Sequence, residues 1–385
     1  MNVAVDQRAA VAAVPTCTVP VSRVDFTRPL VCIFGLPFDA IGVAQAVQRI
    51  RADAFGGRRC FVSTPNLNFA IAARSDAAFR DSVLHSDLSL VDGMPLVWIA
   101  RLLGLPVRER VSGADVFEAL QAHAGPALTV YFFGGPPGVA ASACERINRR
   151  GGGVRCVGFD SPGFGSVESM SSAEQVARIN ASGAHLVAVS LGAQKGQAWI
   201  ERNAARLTAP VLSHLGAVVN FAAGSVRRAP RWMRWCGLEW AWRIREEPSL
   251  WRRYWRDGTS AAGLTLTRVL PDAFASRPRR APAPEPARLE VLRAREATKL
   301  VLFGCWRHAD LPALREALTQ CAATESRLTV DLSGVSAADN ALVAILLAAR
   351  GWFATRAGFE IVGASPAVEA TFRRKLAEAL LTGID

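Results

Sequence analysis

The feature that most constrains this chain is an alternation, running from residue 30 to residue 215, of short strand-like runs with longer stretches of helical periodicity. The strand-like runs are 30–34, 59–62, 87–91, 128–133, 154–159, 185–191 and 210–215; the helical stretches are 41–54, 69–85, 95–103, 137–149, 172–181 and 198–207. Strands separated by helices of this length re-enter a sheet in parallel, because the helix supplies the crossover. The fold class is therefore α/β, a parallel sheet with helices on both faces. Ligands of such sheets lie beyond the C-terminal strand ends, so the loops that follow the strands are where chemistry is sought.

Beyond residue 225 the texture changes. Arg227, Arg228, Arg231, Arg234, Arg243, Arg245, Arg252, Arg253 and Arg256 interleave with Trp232, Trp235, Trp240, Trp242, Trp251 and Trp255. A stretch rich in Pro, Ala and Arg follows near 276–287, and a second strand–helix pattern begins after it, with strands at 289–293, 300–303, 328–332 and 359–362 and helices at 311–322 and from Asp339. The organisation read from this is a flexible N-terminal arm over 1–28, an α/β domain over 29–225, an Arg/Trp-rich appendage over 226–258, a linker over 259–287 and a small α/β domain over 288–385.

Composition narrows the partners. The net charge of +12 points to an anionic partner: nucleic acid, an acidic lipid surface or a phosphate-bearing substrate. The positive residues cluster with Trp in one segment and follow no nucleic-acid motif, which ranks nucleic acid last. Trp at headgroup level with Arg on anionic lipid fits the segment best; buried Trp beneath solvated Arg is the structural alternative. No run approaches the roughly 18 to 20 apolar residues of a membrane span, and the N-terminus does not read as a secretory signal, so the expected location is cytoplasmic, peripheral at the inner face of the membrane. The eight cysteines form no C-x-x-C pair and are expected as buried, reduced thiols. No zinc-ligand spacing and no Asp-x-Asp pair occur, so no metal site is expected.

Five loops carry candidate chemistry. Ser63-Thr64-Pro65-Asn66-Leu67-Asn68 offers a hydroxyl and two amides for phosphate or sugar, or a plain helix N-cap. Val91-Asp92-Gly93 puts a carboxylate at a strand end, either a general base or a turn residue. Arg110, next to Ser112-Gly113, can pair with phosphate. Gly134 and Gly135 can let backbone N–H groups approach a diphosphate. Gln194, Lys195 and Gln197 end a further strand and can bind the nucleotide, or form a bland turn.

Together Thr64-Pro65-Asn66, Asp92-Gly93 with Trp98 and Arg101, Glu109-Arg110-Val111-Ser112-Gly113, Leu191-Gly192-Ala193, Arg228-Ala229-Pro230, Gly237-Leu238-Glu239-Trp240 and Arg253-Tyr254 resemble the WecG/TagA/CpsF family of glycosyltransferases, from residue 30 to residue 254. The resemblance implies a Rossmann-like fold and inverting transfer from a UDP-sugar, of N-acetylmannosamine or glucose type, to a polyprenyl-diphosphate-linked acceptor; the lack of an Asp-x-Asp pair makes the expected transfer metal-independent, with no other cofactor. It implies Asp92 as general base, Thr64 and Asn66 in the pocket, and Arg243, Arg245 and Arg253 in an appendage that closes over the site and touches the membrane. One departure is visible: the family commonly has Pro-Lys-Gln-Glu where this chain has Gln194-Lys195-Gly196-Gln197. Gln194 or Gln197 replacing the missing Gln, a different donor, and a non-catalytic scaffold are the readings this leaves open. The segment from 289 to 378 resembles a STAS domain through Leu328-Thr329-Val330-Asp331-Leu332-Ser333-Gly334-Val335 and Asp339-Asn340-Ala341-Leu342. Asn340 occupies the place of that fold's phosphorylatable serine, so a docking role for a protein partner is expected and a phospho-switch is not.

Overall fold

The computed structural model describes residues 24–275 and 285–381. The arm expected over 1–28 and the linker expected over 259–287 fall partly outside these residues, as does Cys17.

The first two strands, β1 (Leu30–Ile33) and β2 (Leu36–Asp39), pair antiparallel in a hairpin of their own. The run at 30–34 is thus not the first strand of the parallel sheet. Phe34 and Gly35 form its turn, both with positive φ, which matches the twist of a two-residue hairpin. The main sheet comprises β3 (Cys60–Ser63), β4 (Leu88–Ser89), β5 (Leu128–Gly134), β6 (Val154–Asp160), β7 (Leu186–Ser190) and β8 (Val211–His214), all parallel, in the order β4-β3-β8-β7-β5-β6. Every residue of β5 is buried, as expected for a strand covered on both faces. Val130 and Phe132 join one apolar layer with Val47, Ile50, Phe117 and Ile147, while Tyr131 and Phe133 join the other with Ile179, Trp199 and Ile200.

The helical stretch at 69–85 is two helices, Leu67–Ala72 and Ala77–Leu84, because Asp76 caps the second through Phe79 N–H. A helix over Gly113–Ala122, capped by Ser112, was not expected from sequence. Helix Val139–Arg150 packs on β6 and brings Cys144 within 5.1 Å of Cys156, Cα to Cα, and the two form a disulfide. This corrects the expectation of reduced thiols throughout. Cys236 is in addition exposed, whereas Cys32, Cys60 and Cys321 are free and buried as expected.

The appendage consists of helices Arg231–Trp235, Glu239–Glu246 and Trp251–Leu264. The last runs on through a wider turn at Thr265–Val269 into Leu270–Ala275, so residues 259–275 are helix and not linker. Burial of Ala261, Val269 and Asp272 anchors this extension.

The C-terminal unit is a four-stranded sheet, β9 (Arg288–Arg293), β10 (Ala297–Trp306), β11 (Arg327–Ala338) and β12 (Phe359–Val362), in the order β12-β11-β10-β9 with β9 antiparallel. Its helix Asn340–Phe353 is nearly all buried, since it packs on β1, β2 and helix Ala77–Leu84 as well as on its own domain. The join is specific. Asn340 accepts from Cys32 N–H at 2.8 Å and donates to Cys32 C=O at 2.7 Å, pairing with the edge of β1 as a strand would. Lys375 and Asp272 form a buried ion pair at 2.7 Å. A Cβ on Gly351 would fall 2.2 Å from Leu84 O, so the helix crosses there only because it has none. Residues 24–28 are packed as well: Phe26 stacks on Phe353, and Arg28 is buried against Asp39, Ser86 and Asp87. Among the described residues no helix is long and apolar enough to cross a membrane.

Candidate active site

A cavity of about 750 Å³ opens where β3, β4 and β8 end, walled on its far side by the appendage. Strand ends deliver its floor: Thr64 and Asn66 follow β3, Asp92 follows β4, and His214 closes β8. Asn68, Arg110, Ser112, Arg234, Glu239, Arg243, Arg253 and Tyr254 line the rest, with Trp240, Trp251 and Trp255.

Asp92 sits between a loop pinned by its own N–H to Pro65 C=O (3.1 Å) and Gly93, whose φ of 112° starts helix Met94–Leu102. Its carboxylate accepts no hydrogen bond from the described residues. Protein surrounds it on every side but the cavity, and this burial pushes its pKa up to about 7. Arg110 works against that rise, while Glu239 and Asp115 add to it.

Behind Asp92 lies a charge network. Asp115 accepts from Arg110 (2.7 Å), Arg228 (2.7 Å), Arg234 (3.3 Å) and the Ser112 hydroxyl (2.5 Å). Burial alone would raise its pKa, but Arg110, Ser112 and Arg228 outweigh it, and the carboxyl is held below its usual range. Arg110 also grips Glu239, and Arg228 reaches Glu118 at 2.7 Å. Core and appendage are therefore stitched through Asp115, whose role the sequence reading missed because its partners lie up to 119 residues away.

The candidate residues divide. Thr64, Asn66, Asn68, Asp92, Arg110, Arg243 and Arg253 line one cavity. Asn66 caps helix Leu67–Ala72 as well, accepting from Phe69 N–H at 3.2 Å, and Asn68 donates to Asp257 at 2.9 Å, tying that helix to the appendage. Among the described residues no carboxylate pairs with Arg253. Gly134, Gly135, Gln194, Lys195, Gln197 and Arg245 do not line the cavity. A Cβ on Gly134 would fall 2.7 Å from Ser190 O, so this glycine serves close packing of β5 against β7. Gly135 N–H is spent on Ser190 C=O. Gln194 donates to Asp76 (3.0 Å), Lys195 to Gly165 C=O (2.9 Å), and Gln197 is fully buried on Ser63 (2.8 Å). Arg245 stacks over Trp242 on the outer face. His214, Arg234 and Glu239 join the cavity unforeseen; the terminal position of His214 on a strand was the available signal. No group of three or more His, Cys, Asp or Glu able to hold a metal ion occurs among the described residues.

The parallel α/β domain, its arginine-lined crevice and the helical appendage that roofs it lie within residues that match a glycosyltransferase family model, and the chain is a glycosyltransferase. Residues 31–273 match the family model described as "Glycosyl transferase WecG/TagA/CpsF family", and the chain belongs to that family. Residues 289–381 match the model "Mlab, STAS domain", so the C-terminal unit is a STAS domain. Among curated proteins, the N-acetylglucosaminyldiphosphoundecaprenol N-acetyl-beta-D-mannosaminyltransferase of Bacillus spizizenii is 29% identical over 195 residues, covering 50% of this chain and 74% of its own. The protein of the same name from Bacillus subtilis is 28% identical over 193 residues, 50% of this chain and 73% of its own. A solved anti-sigma factor antagonist from Mycobacterium paratuberculosis is 23% identical, covers 26% of this chain and 86% of its own, and has a TM-score of 0.23.

Proposed function

We propose that the protein is an inverting, metal-independent glycosyltransferase that moves an N-acetylmannosamine or glucose-type sugar from its UDP derivative to a polyprenyl-diphosphate-linked acceptor, in synthesis of a cell-surface polysaccharide. The observation that carries this is Asp92: a carboxylate at the cavity floor, unengaged, with a pKa near the operating pH and arginines across from it. A base of that pKa combines ionisation at neutral pH with enough basicity to take a proton. Asp92 accepts the proton of the acceptor hydroxyl as its oxygen bonds to the anomeric carbon. The bond from that carbon to the diphosphate breaks on the opposite face, which inverts the centre, and UDP leaves with the electron pair. Arg110, Arg234, Arg243 and Arg253 neutralise diphosphate charge, the role a metal ion has in other transferases. The relatives' names support a lipid-diphosphate acceptor.

The membrane enters through the appendage. Trp235 is 81% exposed and Trp255 70%, and Leu266 and Phe274 lie exposed further along the same helical segment. Apolar side chains beside arginines suit an anionic surface, which supports a peripheral position at the inner face of the membrane, where a lipid-linked acceptor is met. The test is release of UDP from a panel of UDP-sugars, with and without a polyprenyl-diphosphate-linked N-acetylglucosamine. Release from one donor, dependent on acceptor and indifferent to chelator, is the expected result. No release from any UDP- or GDP-sugar overturns the proposal in favour of a scaffold.

A further inference from the structure

We infer that the STAS domain sets the position of the cavity's helical wall, and that Asp272 is the positioning residue through which it does so; the inference rests on the cavity being the site of transfer. Trp251–Leu264, Thr265–Val269 and Leu270–Ala275 form one unbroken helical rod. Its first turns carry Trp251, Arg253, Tyr254 and Trp255 into the cavity wall, where Asp257 takes a hydrogen bond from Asn68 of the core at 2.9 Å. No residue of the rod beyond Ala262 lines the cavity. The far end is held by the STAS domain instead. Asp272 and Lys375 pair at 2.7 Å with both side chains 6% exposed, and Arg374 stands 3.7 Å from the same carboxylate. One turn earlier, Arg268 donates to Arg373 C=O at 3.3 Å, and Val269 belongs to the same apolar core as the STAS helix Asn340–Phe353.

The junction leaves the rod little freedom. Cys32 of the first hairpin, Ile99 of helix Met94–Leu102, Val269 of the rod and Lys375 of the STAS domain meet around a void of only about 20 Å³. A Cβ on Gly35, at the hairpin turn, would fall 2.1 Å from Leu376 O, so the STAS backbone abuts the hairpin directly. A buried ion pair adds little net stability, but separating its partners strands a charge away from water, which is costly. Asp272 therefore has one favourable place, and Lys375 defines it. Arg253 and Asp272 are 19 residues apart on the rod, about 28 Å along a helix, so Asp272 reaches the cavity only through the rod. A stiff helix fixed at one end carries a displacement there to the other. What it moves is Arg253, which lines the cavity and has no carboxylate partner among the described residues.

The test is a double-mutant cycle on the full chain, with UDP-N-acetylmannosamine and a polyprenyl-diphosphate-linked N-acetylglucosamine as probes. Asp272→Asn should lower kcat/KM about tenfold, within the usual span of coupling between distant sites. In an Arg253→Ala background the same change should cost at most about threefold, because the charged group that the rod presents is gone; substitutions this far apart are otherwise additive. Adding Lys375→Met to Asp272→Asn removes the stranded ammonium and should recover part of the loss. Val269→Ala loosens the same end without touching a charge and should show the same dependence on Arg253, which keeps the cycle open if Asp272→Asn does not fold. Equal losses in the two backgrounds, or wild-type kcat/KM in both Asp272→Asn and Val269→Ala, overturn the inference while the transferase reading stands. A wild type without turnover removes the transferase reading, and trypsin then tests the clamp alone: faster cutting after Arg252, Arg253 and Arg256 in Asp272→Asn supports it, and unchanged cutting overturns it.

Discussion

Replacing Asp115 by Asn should unlatch the appendage from the core. One carboxylate oxygen serves Arg110 at 2.7 Å and Ser112 at 2.5 Å; the other serves Arg228 at 2.7 Å and Arg234 at 3.3 Å. Asn keeps one acceptor but turns an N–H toward a guanidinium and removes the charge that three arginines share. Two short charge-assisted bonds are worth about 1.5–3 kcal/mol each. Arg110 and Arg228 retain Glu239 and Glu118, which returns part of that. The net loss is about 3 kcal/mol, the lower end for breaking a buried pair. Because Arg228 and Arg234 belong to the appendage, the loss falls mainly on closing it, and about a hundredfold of the closed population is forfeited. Limited trypsin digestion reads this as faster cutting in the 227–256 segment, and steady-state kinetics reads it as a higher acceptor KM. Glu118→Gln is the control, since Glu118 is a solvent-exposed partner worth less than about 1 kcal/mol. An Asp115→Asn protein as trypsin-resistant and as tightly acceptor-binding as wild type would refute the latch.

Three further outcomes follow from the same geometry. Asp92 acts as a base only when ionised, so kcat/KM should fall as pH drops through about 7; Glu239→Gln removes a neighbouring negative charge and frees Arg110, and should move that acid limb to lower pH, an unmoved or raised limb counting against the electrostatics. Asn340→Asp cannot donate to Cys32 C=O and should cost about 1–3 kcal/mol in urea unfolding, whereas unchanged stability would mean that the STAS domain is not held at this point. Changing both Trp235 and Trp255 to Ser should weaken binding to anionic vesicles by roughly a hundredfold or more, given about 1.5–3 kcal/mol per large apolar side chain buried, with the thermal midpoint unmoved; vesicle binding at wild-type strength would place the membrane contact elsewhere.

The parallel sheet was legible because β5 and β7 are continuous apolar runs that end at a glycine or serine, a pattern that depends only on local sequence. The hairpin of β1 was not, since an apolar tetrapeptide looks the same whether it pairs with its neighbour or with a distant strand. The floor of the cavity could be read from Thr64, Asn66 and Asp92, which directly follow strands. Gly134 and Gly135 misled because a glycine required for backbone approach cannot be told from one that cradles a phosphate. Gln194, Lys195 and Gln197 begin a helix whose side chains have other partners, Asp76, Gly165 and Ser63, all distant in sequence. Within the cluster on Asp115, Arg110 and Ser112 are near in sequence, but Arg228 and Arg234 reach it only through the tertiary fold. Asn340, at the place of the STAS fold's phosphorylatable serine, is engaged within the chain by the edge of β1.

The central claim is that Asp92 is the base of a glycosyl transfer, and single-turnover reaction of Asp92→Asn with saturating UDP-sugar and lipid-linked acceptor tests it most directly. The account predicts transfer slowed by roughly 10²–10⁴-fold, as for a lost general base, with UDP binding at wild-type strength and the acid limb near pH 7 abolished. Transfer at the wild-type rate, or a loss traced wholly to weaker UDP binding, would contradict it.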